Sequence, residues 1–142
     1  MSLSEHFTLD ELTHTDHREF DNTPNVEETK NLTRLAEFLE RIKIVLDGKP
    51  IMVNSAFRSE AVNNAVGSRN TSQHRIGCAA DIRVPGMTPD EVVKAVIASG
   101  IGYDQIIREF DRWTHISVPN TKDMTPRRQA LIIDKSGTRQ YV

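Results

Sequence analysis

Apolar residues at Leu32, Leu35, Ala36, Leu39, Ile42 and Leu46 recur at three- and four-residue steps, and Phe38 and Val45 widen the stripe. A helix gathers such positions on one face, so the pattern predicts a helix from about Val26 to Leu46 that buries this face. Asp47-Gly48-Lys49-Pro50 ends it, because Gly48 accepts a left-handed cap and Pro50 cannot continue the helix. Thr88-Pro89-Asp90-Glu91 joins an N-cap, a first-turn proline and a capping glutamate, and so predicts a second helix. Val92, Val93, Val96 and Ile97 are its expected buried face, and Gly100 is its stop. Two shorter helices are predicted, one over Phe7–Leu12 with Thr8 and Glu11 as a capping box, the other from Ser59 to Val66.

Elsewhere the period drops to two. A short strand is expected from Ile51 to Ser55, and another from Ala79 to Val84, with Ala80, Ile82 and Val84 on one face and Ala79, Asp81 and Arg83 on the other. Strands are also predicted near Tyr103–Arg108 and Trp113–Val118, and a last hairpin around Asp134-Lys135-Ser136-Gly137. Asp21–Asn25 and Gly67–Thr71 are rich in turn formers and read as loops. The expected class is α+β, one domain over residues 1–142 with a small, mainly antiparallel sheet, helices on one face and the chemistry on the other.

That polar face concentrates metal-ligating types. In the strand at Trp113–Val118, Trp113, His115 and Ser117 share a side. If it neighbours Ala79–Val84 with apolar faces aligned, His115 and Asp81 project together, and His74 arrives from the loop before them. Two imidazoles and a carboxylate that leave a fourth position open are the donor set of a catalytic zinc, which must acidify a water as well as sit in the fold. The chain therefore reads as a zinc hydrolase with one ion. Cys78, beside Ala79 and Ala80, reads as a buried structural residue, and His6, His14 and His17 fall outside the pattern, in surface or helix-end roles.

Composition narrows the partners. With 18 basic and 20 acidic side chains there is no electrostatic reason to expect nucleic acid or an anionic membrane, and the pair Arg127-Arg128 is too short to change that. The single cysteine rules out a disulfide within the chain. Met1-Ser2-Leu3-Ser4-Glu5-His6 has neither a basic nor an apolar leader region, and no stretch approaches the ~20 apolar residues of a membrane span. Synthesis in the cytoplasm without stable membrane insertion is the expectation.

The spaced motifs Ser72-Gln73-His74, Gly77, Ala80-Asp81 and Trp113-Thr114-His115 resemble the signature of the M15 family of zinc peptidases. That family includes D-Ala-D-Ala carboxypeptidases and dipeptidases, and phage endolysins that cut L-alanyl-D-glutamate bonds. The resemblance extends to Phe7–Leu12, Asn22-Thr23-Pro24 and Val53–Ser59, and is nearest the compact phage and prophage branch. It implies that His74, Asp81 and His115 hold Zn2+ and that the substrate is the peptidoglycan stem peptide, cut at the cell wall once the protein is released. The family's base is often a glutamate at Glu-x-x-His spacing, but here Arg112 occupies that position and cannot accept a proton. Glu109, ending Asp104-Gln105-Ile106-Ile107-Arg108-Glu109, is the implied base, with Asp111 the alternative. Arg58, in Ser55-Ala56-Phe57-Arg58, matches a Ser-Gly-Tyr-Arg region and is implied to polarise the carbonyl, stabilise the oxyanion or bind a substrate carboxylate. Ser72 and Gln73 are candidates for substrate positioning, Ser72 equally for support of His74. The competing reading keeps fold and zinc without turnover, as a wall-binding or structural phage module.

Overall fold

The capping box of Thr8 and Glu11 forms as predicted, and it starts helix α1 (Leu9–Thr13) with Leu12 fully buried. The computed structural model describes residues 1–141. Helix α2 (Val26–Val45) begins on a second capping box, Asn25 with Glu28, at the edge of the expected loop. It buries Leu32, Leu35, Ala36, Phe38, Leu39 and Ile42, the stripe read from the sequence. Strand β1 (Met52–Ser55) follows, then helix α3 (Glu60–Ala65), whose N-cap is Ser59. A single 3-10 turn, Gln73–Ile76, carries His74 into strand β2 (Ala79–Arg83). Helix α4 (Pro89–Ser99) has its Thr88–Glu91 capping box and stops at Gly100. Ile97, expected on the buried face of α4, is instead 38% exposed. At 100° per residue it lies roughly 90° from the centre of the Val92–Val93–Val96 stripe, on the flank of the helix.

Strands β3 (Gln105–Glu109), β4 (Trp113–Ser117), β5 (Gln129–Asp134) and β6 (Gly137–Gln140) complete a six-stranded sheet of order β1-β2-β4-β3-β5-β6. The sheet is mixed: four pairings are antiparallel, while β3 and β5 run parallel. β4 ends beside the start of β3, and the chain then crosses that end of the sheet to begin β5 on the far side. Asp104 pins the crossing, accepting hydrogen bonds from the Arg127 backbone N–H at 3.0 Å and from its guanidinium at 2.8 Å.

One apolar cluster joins α2 and α4 to Ala80, Ile82, Ile106 and Ile116, so the helical layer covers a single face of the sheet. The opposite face carries Asp81 of β2 and His115 of β4, which are direct cross-strand partners. Among the described residues no helix is long and apolar enough to cross a membrane.

Candidate metal centre

Register brings the first two donors together. Because Asp81 and His115 face each other across β2 and β4, their side chains leave the sheet on the same side, and His115 Nδ1 lies 3.1 Å from Asp81 Oδ1. The third arrives from the 3-10 turn, where His74 Nε2 stands 3.3 Å from the same oxygen. All three ligand atoms lie within 4.8 Å of one another, and all three residues are buried.

Local hydrogen bonding sets the orientation of His74. Its Nδ1–H donates to the Ala56 carbonyl at 2.7 Å, and because a carbonyl only accepts, this fixes the tautomer and leaves the Nε2 lone pair facing Asp81. Ser72 caps the turn, its hydroxyl accepting from the His74 backbone N–H at 3.2 Å. Gly77 closes the turn at φ 82° and lies so near α2 that a Cβ there would meet the Glu28 carbonyl oxygen at 2.9 Å. Gln73 commits its side-chain amide elsewhere, donating to Asp104, the Val118 carbonyl and Asn120 and accepting from Arg127.

Arg58 lies against the cluster with its guanidinium 3.2 Å from Asp81 Oδ2 and its Nε–H donating to Ser55 Oγ at 3.1 Å. Glu109 flanks it from the end of β3, Oε1 lying 3.9 Å from His115 Nδ1. The other carboxylate considered as a base, Asp111, is mostly exposed and held by Arg108. Two of the sequence candidates for catalysis, Arg58 and Glu109, thus stand with the three metal-ligating types, and Asp111 does not.

Electrostatics separate the two carboxylates. Burial alone would raise Asp81, but the imidazoles of His74 and His115 outweigh it and hold the carboxyl well below the usual range, so Asp81 stays an anion. Burial pushes Glu109 up, and the negative charge of Asp81 adds to this against the opposing pull of His115, Trp113 and Arg58. The Trp113 indole N–H is near enough to Glu109 to lower it and finds no closer hydrogen-bond partner among the described residues.

Two polar residues that the sequence placed outside the site fix this geometry. Asn22 donates to the carbonyls of Thr13 at 2.7 Å and Phe57 at 3.1 Å, and its side-chain oxygen accepts from the Ser59 N–H at 2.7 Å. It therefore clamps the backbone on both sides of Arg58, in the segment whose Ala56 carbonyl orients His74. His14 straps β1 through Nε2, 2.8 Å from the Val53 carbonyl. Asn22 lies in the Asn22-Thr23-Pro24 stretch that carries part of the family resemblance, but a turn former among turn formers gives no local signal for this clamping role.

The profile of the family described as Peptidase M15 matches residues 5–117, which include every residue of the cluster. The chain belongs to the M15 peptidase family. A comparison with the curated proteins gave no match. Membership makes this protein a peptidase, hence a hydrolase, of a family whose members are generally zinc enzymes. The donor set of this M15 peptidase fits that metal: two nitrogens and one carboxylate oxygen converge, with one tautomer already fixed, and zinc takes neutral imidazole and carboxylate ligands.

Proposed function

We propose that this M15 peptidase is a zinc hydrolase that cuts an amide bond in the peptidoglycan stem peptide, at an L-Ala-D-Glu or a D-Ala-D-Ala junction. The observation that carries the reading is the convergence of His74 Nε2, Asp81 Oδ1 and His115 Nδ1 on one buried spot flanked by Glu109 and Arg58. In this reading His74, Asp81 and His115 hold the ion. Zinc supplies Lewis acidity toward the scissile carbonyl and lowers the pKa of water toward about 7.

The remaining work falls to side chains. Glu109, made more basic by burial, accepts the proton of the attacking water and later delivers it to the leaving amine. Arg58 keeps its charge next to Asp81, and its NH1 makes no hydrogen bond to the described residues, so it is available for the developing oxyanion or a substrate carboxylate. Asn22 and Ser72 act through others, holding Arg58 and His74 in place. The protein acts at the cell wall on this reading.

The test is release of new amino termini from purified peptidoglycan with zinc present, followed by mass analysis of the fragments. Glu109→Gln should retain zinc and lose hydrolysis by about 10²- to 10⁴-fold. Full activity in that variant would remove Glu109 from the mechanism. Absence of cleavage by the wild-type protein across wall types would favour the noncatalytic module.

A further inference from the structure

The residues matched to the family end at Ser117, yet the chain goes on to form β5 and β6. This hairpin widens the sheet beside β3, and its turn at Asp134, Lys135 and Ser136 faces the β3–β4 turn across a cleft of about 680 Å³. Phe110, Arg112 and Trp113 line the opposite wall. The cleft borders the end of β3 that carries Glu109: its lining residue Trp113 is the cross-strand partner of Glu109, and Ile133, which pairs with Glu109 from β5, directly precedes Asp134 of the facing wall.

Its charges are unevenly committed. The Asp111 carboxylate is held by Arg108, and that of Asp134 by two Arg139 nitrogens at 2.8 and 2.7 Å. Arg112 and Lys135 make no ion pair among the described residues. Two free cations therefore share a cleft whose anions are already neutralised. The same cleft is lined by an aromatic pair, Phe110 and Trp113, with ring centroids 5.9 Å apart and Phe110 45% exposed.

Phe110 and Asp111 both adopt positive φ, 53° and 52°, a region that a bulky side chain rarely enters. Two main-chain hydrogen bonds keep the turn there, Phe110 N–H to the Ile133 carbonyl and Arg112 N–H to the Glu109 carbonyl. The first of these bonds comes from the hairpin itself, which thus both walls the cleft and fixes the aromatic turn.

We propose that this cleft is a substrate subsite for a carboxylate-bearing stretch of peptide next to the scissile bond. Arg112 and Lys135 pair with the carboxylate, while Phe110 and Trp113 pack against the adjoining apolar part. The proposal rests on the reading that Glu109 flanks the reacting bond, and it makes the β5–β6 hairpin the element that sets which peptides are accepted. A neutral sugar would satisfy the aromatic wall and leave both cations unused.

Trp113 is the chain's single tryptophan, so its fluorescence reports on the cleft without reference to turnover. Zinc-loaded Glu109→Gln protein is titrated with N-acetyl-L-Ala-D-Glu, with the same dipeptide amidated at both carboxyls, and with N-acetylglucosamine. The free acid should change Trp113 emission and bind about tenfold or more tightly than the diamide, and the sugar should bind more weakly than the acid. Arg112→Glu and Lys135→Glu, both at exposed positions, should each abolish the preference for the acid with the melting temperature unchanged. Equal affinity for acid and diamide, tighter binding of the sugar, or a preference that survives both charge reversals would overturn the subsite. Acid-selective binding with no cleavage of any wall peptide by the wild-type protein would leave the subsite standing and remove the peptidoglycan-cutting reading. Cleavage without acid selectivity would do the reverse.

Discussion

Asp81 divides its carboxylate between two tasks, Oδ1 toward the imidazoles of His74 and His115 and Oδ2 toward Arg58. The same anion raises its neighbour Glu109, which burial has already pushed upward. A base works deprotonated, so a raised pKa means that function is lost as pH falls through a value above the ordinary glutamate figure of about 4.3. A bound ion offsets the charge of Asp81 but leaves the burial of Glu109 in place. On burial, the acid limb of kcat/KM against pH should therefore lie above that figure, and a profile flat down to pH ~4 would contradict the role of Glu109. At this scale the sequence was most informative where a period of two applies. Asp81 and His115 could be placed on one side of a sheet from alternation alone, whereas Asn22 acts by three hydrogen bonds to distant backbone, which no local pattern encodes.

Among the elements, helix boundaries were legible because their caps are written in adjacent residues. Thr8 with Glu11 and Thr88 with Glu91 form the predicted boxes, and Gly100 is a left-handed stop. The 3-10 turn that carries His74 was not foreseen, since its four residues have no period of their own and depend on Ser72 and Gly77 at either end. The parallel pairing of β3 with β5 was equally hidden, because it is accompanied by long-range hydrogen bonds that Arg127 donates to Asp104. Gly77 offers the sharpest test of an element. Its φ of 82° disfavours a side chain, and a Cβ would press on the Glu28 carbonyl oxygen and on Leu32. Gly77→Ala should cost about 2 kcal/mol, lowering the melting temperature by roughly 5–10 °C, and should weaken zinc binding by displacing His74. Thermal unfolding with unchanged midpoint and zinc affinity would show that the turn tolerates the methyl group.

Across the whole molecule, Asp104 ties the return segment of the sheet to the turn that carries His74, accepting from Arg127 and from Gln73 Nε2 at 3.1 Å. Burial would raise this carboxyl, yet the Arg127 hydrogen bonds prevail and hold it below its ordinary value. A pKa lower in the folded than in the unfolded state gives stability that is fully present above the unfolded value of about 3.9 and is lost as pH falls through the folded one. Asp104→Asn should cost about 1–2 kcal/mol at neutral pH, the half-exposed Arg127 limiting the figure, and should flatten the dependence of stability on pH below ~4. Denaturant melts at several pH values decide this, and an unchanged slope would show that Asp104 is not the coupling group.

Metal content decides whether His74, Asp81 and His115 form a zinc site. Elemental analysis of the purified protein, with His74→Ala, Asp81→Ala and His115→Ala beside it, should find about one zinc per chain in the wild type and a large loss in each variant. A wild-type protein that takes up no zinc, or variants that hold it as well as the wild type does, would contradict the assignment of these three residues as its ligands.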